Sequence, residues 1–152
     1  MKKKKRPDRE DVETIRNQLL DFACAKHDFK LEKEEYRPDG DWNGIFMVKF
    51  GDNPQEDRLH CSAPCGEQFI TFGLDLDVDE EIWKSECENI FRVASRYDIA
   101  VYVSSKGEKG DVRRCRLSSR AWIPNFSQRI FGLTFSNLVG CKEAILQMLS
   151  GT

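Results

Sequence analysis

His60, Cys61 and Cys65 are the residues whose types and spacing come nearest to a metal-ligand set. Soft thiolates beside an imidazole suit zinc, but a structural zinc site takes four ligands, usually from paired knuckles. The remaining thiols (Cys24, Cys87, Cys115 and Cys141) and His27 are scattered through segments patterned as helix or strand. Cys61 moreover falls on the apolar side of an alternating run. The three residues are therefore the lesser metal candidates of a chain for which no cofactor is expected. Asp75, Asp77, Asp79, Glu80 and Glu81 form an acidic run suited to a hard cation, yet they lack the central glycine and later glutamate of a calcium loop. Capping a following helix explains the same acidity without a ligand.

Nucleophilic chemistry has little support. The two histidines lie in no nucleophile motif, Gly-x-Ser-x-Gly is absent, and glycines do not gather before a helix to cradle phosphate. The reading is accordingly not an enzyme. A different chemistry, anion or acidic-peptide binding, is offered by Arg113, Arg114, Arg116 and Arg120 in one strand-like run, with Lys106 and Lys109 in the loop before it. The plainer alternative is that acidic neighbours such as Glu32, Glu34 and Glu35 pair with these arginines across a sheet.

At 152 residues and 17.6 kDa the chain can bury one core without disulfides, and 39% hydrophobic with 11% aromatic residues supply it. Net charge is −2, but Lys2, Lys3, Lys4, Lys5, Arg6 and Arg9 crowd the start, so the body is acidic. Residues 1–8 read as a basic disordered tail and residues 9–152 as a single domain. Nucleic-acid binding by that tail together with the arginine run is the alternative function. It is less favoured because such binders usually extend a basic surface over the folded face. The start lacks the apolar run of a secretory signal and no window is long enough to span a bilayer. A cytoplasmic, membrane-free protein with reduced thiols is expected.

The elements that must position these residues follow from periodicity. Val12, Ile15, Leu19, Phe22 and Ala23 recur at helical spacing within residues 9–27, with Asp8 as the expected cap. Four strand-like runs follow, over residues 29–36, 44–50, 58–63 and 69–76, separated by turns short enough for an antiparallel meander. The second run is apolar on both alternating faces, as for a strand covered on both sides. Asp77 with Glu80 has the form of a capping box opening a helix over residues 78–97. Residues 99–104 and 112–123 then read as a hairpin around a loop at residues 107–110. Asn125 with Gln128 caps a last helix over residues 126–149.

The fold class is thus α+β, an antiparallel sheet with helices packed on it in the order α-β-β-β-β-α-β-β-α. The last helix is so apolar that it needs covering on more than one side. Either its own sheet and helices cover it, or another chain does. In the second case Phe131, Phe135, Leu138 and Val139 are the partner or dimer interface.

The stretches "RLSSRAWIPNFSQRIFGLTFSNLVGCKEAILQML" and "DVDEEIWKSECENIFRVAS", with this element order, resemble the YbjN family, described as bacterial sensory transduction regulators. The fold of that family resembles type III secretion chaperones. The resemblance covers residues 9–149. It implies a helix-and-sheet module that binds protein segments, often as a homodimer, and it carries no catalytic residues. The expected function is a non-enzymatic, chaperone-like or regulatory protein-binding module whose partners are itself and an unidentified protein segment. A zinc or redox protein remains a further alternative.

Overall fold

The computed structural model describes residues 9–49, 56–104 and 111–151. The basic tail, the Asp8 cap, Phe50, the turn at residues 52–54 between the second and third strands, and the loop with Lys106 and Lys109 lie outside the described residues.

The chain opens with α1 (Arg9–Leu20), which runs into a π-helical turn at Asp21–Lys26. Val12, Ile15, Leu19 and Ala23 form its buried stripe, so the spacing of apolar residues, not helix propensity, decides which side turns inward. Asp28 takes a left-handed conformation (φ 58) and the Phe29 N–H bonds the Ala23 carbonyl at 2.9 Å, which ends the helix. Strands β1 (Lys30–Tyr36), β2 (Trp42–Val48), β3 (Asp57–Ala63) and β4 (Phe69–Asp79) follow, then α2 (Glu80–Arg96), β5 (Ala100–Val103), β6 (Val112–Trp122) and α3 (Gln128–Ser150). A single 3-10 turn, Ile123–Asn125, precedes α3.

The strands form a six-stranded antiparallel sheet in the order β1-β2-β3-β4-β6-β5. The α+β class and the element order are those read from periodicity. Meander and hairpin are both present: Trp42 pairs with Ala63 across β2 and β3, and Tyr102 with Arg116 across β5 and β6. Alternation selects one buried face, with Trp42, Phe46 and Val48 on β2, Leu59 and Cys61 on β3, and Ile70, Phe72, Leu74, Leu76 and Val78 on β4. β2 is not covered equally on both sides: Asn43, Ile45 and Met47 are only half-buried.

Two local corrections concern helix starts. Strand β4 continues to Asp79, so Asp77 does not cap the helix, and Asp79 at the cap position makes no side-chain capping bond. Asp77 and Glu80 are instead drawn to arginines of β6. At α3 the cap is Ser127, whose Oγ accepts from the Ile130 N–H at 3.2 Å, in place of Asn125. α2 closes in a Schellman arrangement, with Asp98 left-handed (φ 56), the Ile99 N–H on the Ala94 carbonyl and the Asp98 N–H on the Ser95 carbonyl.

The chain divides into two compact units, residues 1–72 with 120–132 and residues 73–119 with 133–152. In the first, Phe131 is fully buried, its ring 6.2 Å from Phe22, 6.4 Å from Phe29 and 5.8 Å from Phe72. In the second, Leu74, Leu76, Ile90, Leu117, Leu138 and Ile145 are buried. There Asn137 Nδ2 donates to the Tyr97 carbonyl at 2.6 Å and Lys142 Nζ to the Asp75 carbonyl at 2.8 Å, which fix the register of α3 within that unit.

Candidate functional site

Three of the four arginines of β6 are paired with carboxylates. Arg113 donates through Nη2 and Nε to both oxygens of Glu80, at 2.7 and 3.0 Å, and through Nη1 to the Ser104 carbonyl. Arg114 pairs with Asp77 at 2.9 Å and Arg116 with Asp75 at 2.8 Å. Hydrogen bonding to Glu80 and to Asp77 raises the Arg113 and Arg114 pKa values above the ordinary arginine value. Arg120 lies 5.7 Å above the Phe69 ring as a cation–π pair. Cross-strand pairing of the arginines is thus realised, but with acidic residues of β4 and the start of α2. The reason is strand order. β6 inserts between β4 and β5, whereas β1, with Glu32, Glu34 and Glu35, pairs only with β2. Glu32 and Glu34 are engaged by Arg58 and Arg16 instead.

Gly73 belongs to this arrangement. A Cβ there would stand 2.8 Å from Arg116 Cδ and 3.0 Å from its Cγ, so the missing side chain leaves a bed for the arginine stem. The stem crosses Gly73 and its head meets Asp75.

The metal candidates are separated by the same alternation that forms the strand. His60 is paired with Ile45 and Cys61 with Gly44, so successive side chains point to opposite faces. Cys61 is buried and burial pushes its thiol pKa up, which disfavours the thiolate a metal needs. Cys65 sits in a turn where its N–H donates to Asp41 Oδ1 at 2.7 Å. Among the described residues no three His, Cys, Asp or Glu side chains gather as metal ligands. No helix of the described residues is long and apolar enough to cross a membrane.

Of the residues expected at an interface on α3, Phe131 and Leu138 are fully buried in this chain's own core and are reassigned to it. The physical reason is a buried stripe at heptad spacing, Phe131, Leu138 and Ile145, that leaves Phe135 and Val139 half-buried on its flanks. Leu133 (56% exposed) and Leu146 (45%) are the exposed apolar residues of α3.

The exposed apolar surface that periodicity did not single out is β5. This strand reads AVYV and ends the sheet; Tyr102 is 55% exposed and Val103 38%. Beside it Asp75, Tyr102, Val103, Ser104, Arg114 and Arg116 line a groove of about 430 Å³. α2 packs against β5 and exposes Phe91, with Trp83 edge-on to it at 5.9 Å. The other end of the sheet differs in kind. β1 reads KLEKEEY, is mostly exposed, and carries a bulge between Leu31 and Lys33. Charge and bulges are devices that keep an edge strand from pairing with foreign chains, and β5 has neither. The signal for β5 was in the sequence as four uncharged residues in a chain that is 33% charged.

No family model matches the chain. No curated protein matches it. Among solved structures the fold is similar to an uncharacterized protein from Methanothermobacter thermautotrophicus, with a TM-score of 0.66 and 11% identity over 91% of this chain and 96% of that one. At that identity the likeness concerns the fold alone.

Proposed function

We propose that this protein is a non-enzymatic protein-binding module, chaperone-like or regulatory, that works by taking polypeptide against the β5 end of its sheet. The observation that carries this reading is the unprotected edge: β5 is uncharged and unbulged, exposes Tyr102 and Val103, and borders a groove able to take side chains. The balanced charges around that groove favour a neutral polypeptide over a polyanion, since each of Arg113, Arg114 and Arg116 already faces a carboxylate. This sets the protein-binding reading above nucleic-acid binding by the arginine strand.

The test is the native mass of protein purified gently from its own cells without chelator. A species containing a second polypeptide, whether another copy or a different chain, supports the module. A single chain carrying only a metal or small-molecule adduct overturns it.

A further inference from the structure

We infer that β5 is completed by β5 of a second copy, the two strands pairing antiparallel about a two-fold axis at Tyr102. This rests on the binding-module reading and names the partner.

Backbone direction comes first. The Ser104 N–H donates to the Arg114 carbonyl at 3.0 Å, so Ser104 directs its backbone toward β6, as does Tyr102 opposite Arg116. By the two-residue alternation of a strand, Val101 and Val103 direct their N–H and C=O groups away from β6, to the margin of the sheet. A two-fold antiparallel pairing centred on Tyr102 sets Val101 opposite Val103 of the second copy, and Val103 opposite its Val101. Both are then pairs that exchange N–H and C=O, and the outward groups of both strands are satisfied together.

Charge comes second. The residues brought face to face are Ala100 with Ser104, Val101 with Val103, and Tyr102 with Tyr102, none of them charged. Arg114 and Arg116 nearby are paired within each copy with Asp77 and Asp75, which lessens the like-charge repulsion that these arginines would bring. The same operation on β1 about Lys33 would set that lysine against itself and Glu32 against Glu34, which like-charge pairing disfavours. Pairing about Tyr102 thus brings no charged residues of β5 face to face, whereas pairing of β1 about Lys33 does. α2, the helix packed on β5, carries the exposed Phe91.

The experiment is sedimentation equilibrium of the purified full chain alone, beside three variants. Val103→Pro removes an N–H that makes no bond to β6 and so blocks edge pairing while leaving the hairpin its hydrogen bonds. Tyr102→Lys and Tyr102→Glu place like charges on the axis at a side chain that is 55% exposed, where folding tolerates them. The natural chain is expected at twice its 17.6 kDa and each variant at half that mass. An equimolar mixture of the lysine and glutamate variants is expected to regain the doubled mass, an outcome that also guards against a misfolded proline variant. A natural chain that sediments as a monomer, or charged variants that stay dimeric, overturns the inference. If the chain is monomeric alone yet leaves its own cells with a different polypeptide that Tyr102→Lys releases, the second-copy assignment falls and the binding-module reading stands.

Discussion

The indole N–H of Trp42, a side chain with no exposed surface, donates to Glu34 Oε2 at 2.9 Å. The same carboxylate accepts from Arg16 Nε at 2.7 Å and Nη2 at 2.8 Å, so one glutamate of β1 satisfies a buried donor of β2 and ties α1 to the sheet. The edge strand that looks merely solvated in the sequence therefore holds a structural acceptor.

Glu34 should make stability depend on acid. Hydrogen bonding from Arg16, then from Trp42, holds its carboxyl below the usual carboxylate range. A lowered folded pKa contributes stability that is complete above the unfolded value and is lost as pH falls through the folded one. Glu34→Gln keeps an acceptor for Trp42 but loses the ion pair, and is expected to cost about 1 kcal/mol near neutral pH, discounted for partial exposure. Urea unfolding at neutral and acidic pH checks this. The gap between the two proteins should close in acid; a gap that stays constant would mean that the charge on Glu34 contributes nothing.

A second expectation concerns two glycines. A Cβ on Gly44 would stand 2.4 Å from Trp42 Cη2 and 2.5 Å from Cζ2, and that buried ring has nowhere to move. Overpacking predicts a loss of about 1–3 kcal/mol for Gly44→Ala. At Gly73 the obstacle is the stem of Arg116, whose side chain is 44% exposed and can swing outward at the cost of a surface ion pair. Alanine also gains back some strand entropy there. Gly73→Ala should therefore be clearly milder in the same unfolding assay, and equal losses would refute the rigidity assigned to Trp42.

How far the sequence carried the reading depends on whether a feature is local. Apolar spacing places α1, the four-strand meander and the β5–β6 hairpin because each element's own periodicity selects its buried face. The first capping box failed where other partners existed: Asp77 and Glu80 have the right spacing, but they pair with arginines of β6 instead of capping α2. The identity of those partners was not legible, because it depends on β6 lying beside β4, a nonlocal fact of strand order. On α3 the open choice between cover by this chain and cover by another is answered for Phe131 and Leu138 alone. An apolar helix reports that it needs cover, and burial of Phe131 and Leu138 by this chain is a property of the assembled core. The β5 edge was legible in composition, as an uncharged run, but only its place at the end of the sheet gives that run meaning.

The thiols supply a third expectation. Cys61, Cys115 and Cys141 are buried, and burial pushes the Cys115 and Cys141 thiols up to about 11, so few of them ionise near neutral pH. Cys24, Cys65 and Cys87 are half-buried. A thiolate-selective reagent should thus label three sites in the native protein and the other three only after denaturant is added. Cys65 should lead, since it sits in the turn between β3 and β4, where Gly66 has a positive φ of 88 and no side chain to shield its neighbour. Cys65→Ser should then remove the fastest phase and lower the native count by one, leaving the slow thiols unchanged. The result also bears on metal: a native count that rises when chelator is added would return a ligand role to Cys65. A count indifferent to chelator, with Cys61 silent until unfolding, would leave His60, Cys61 and Cys65 as three neighbours in sequence that the strand has turned apart.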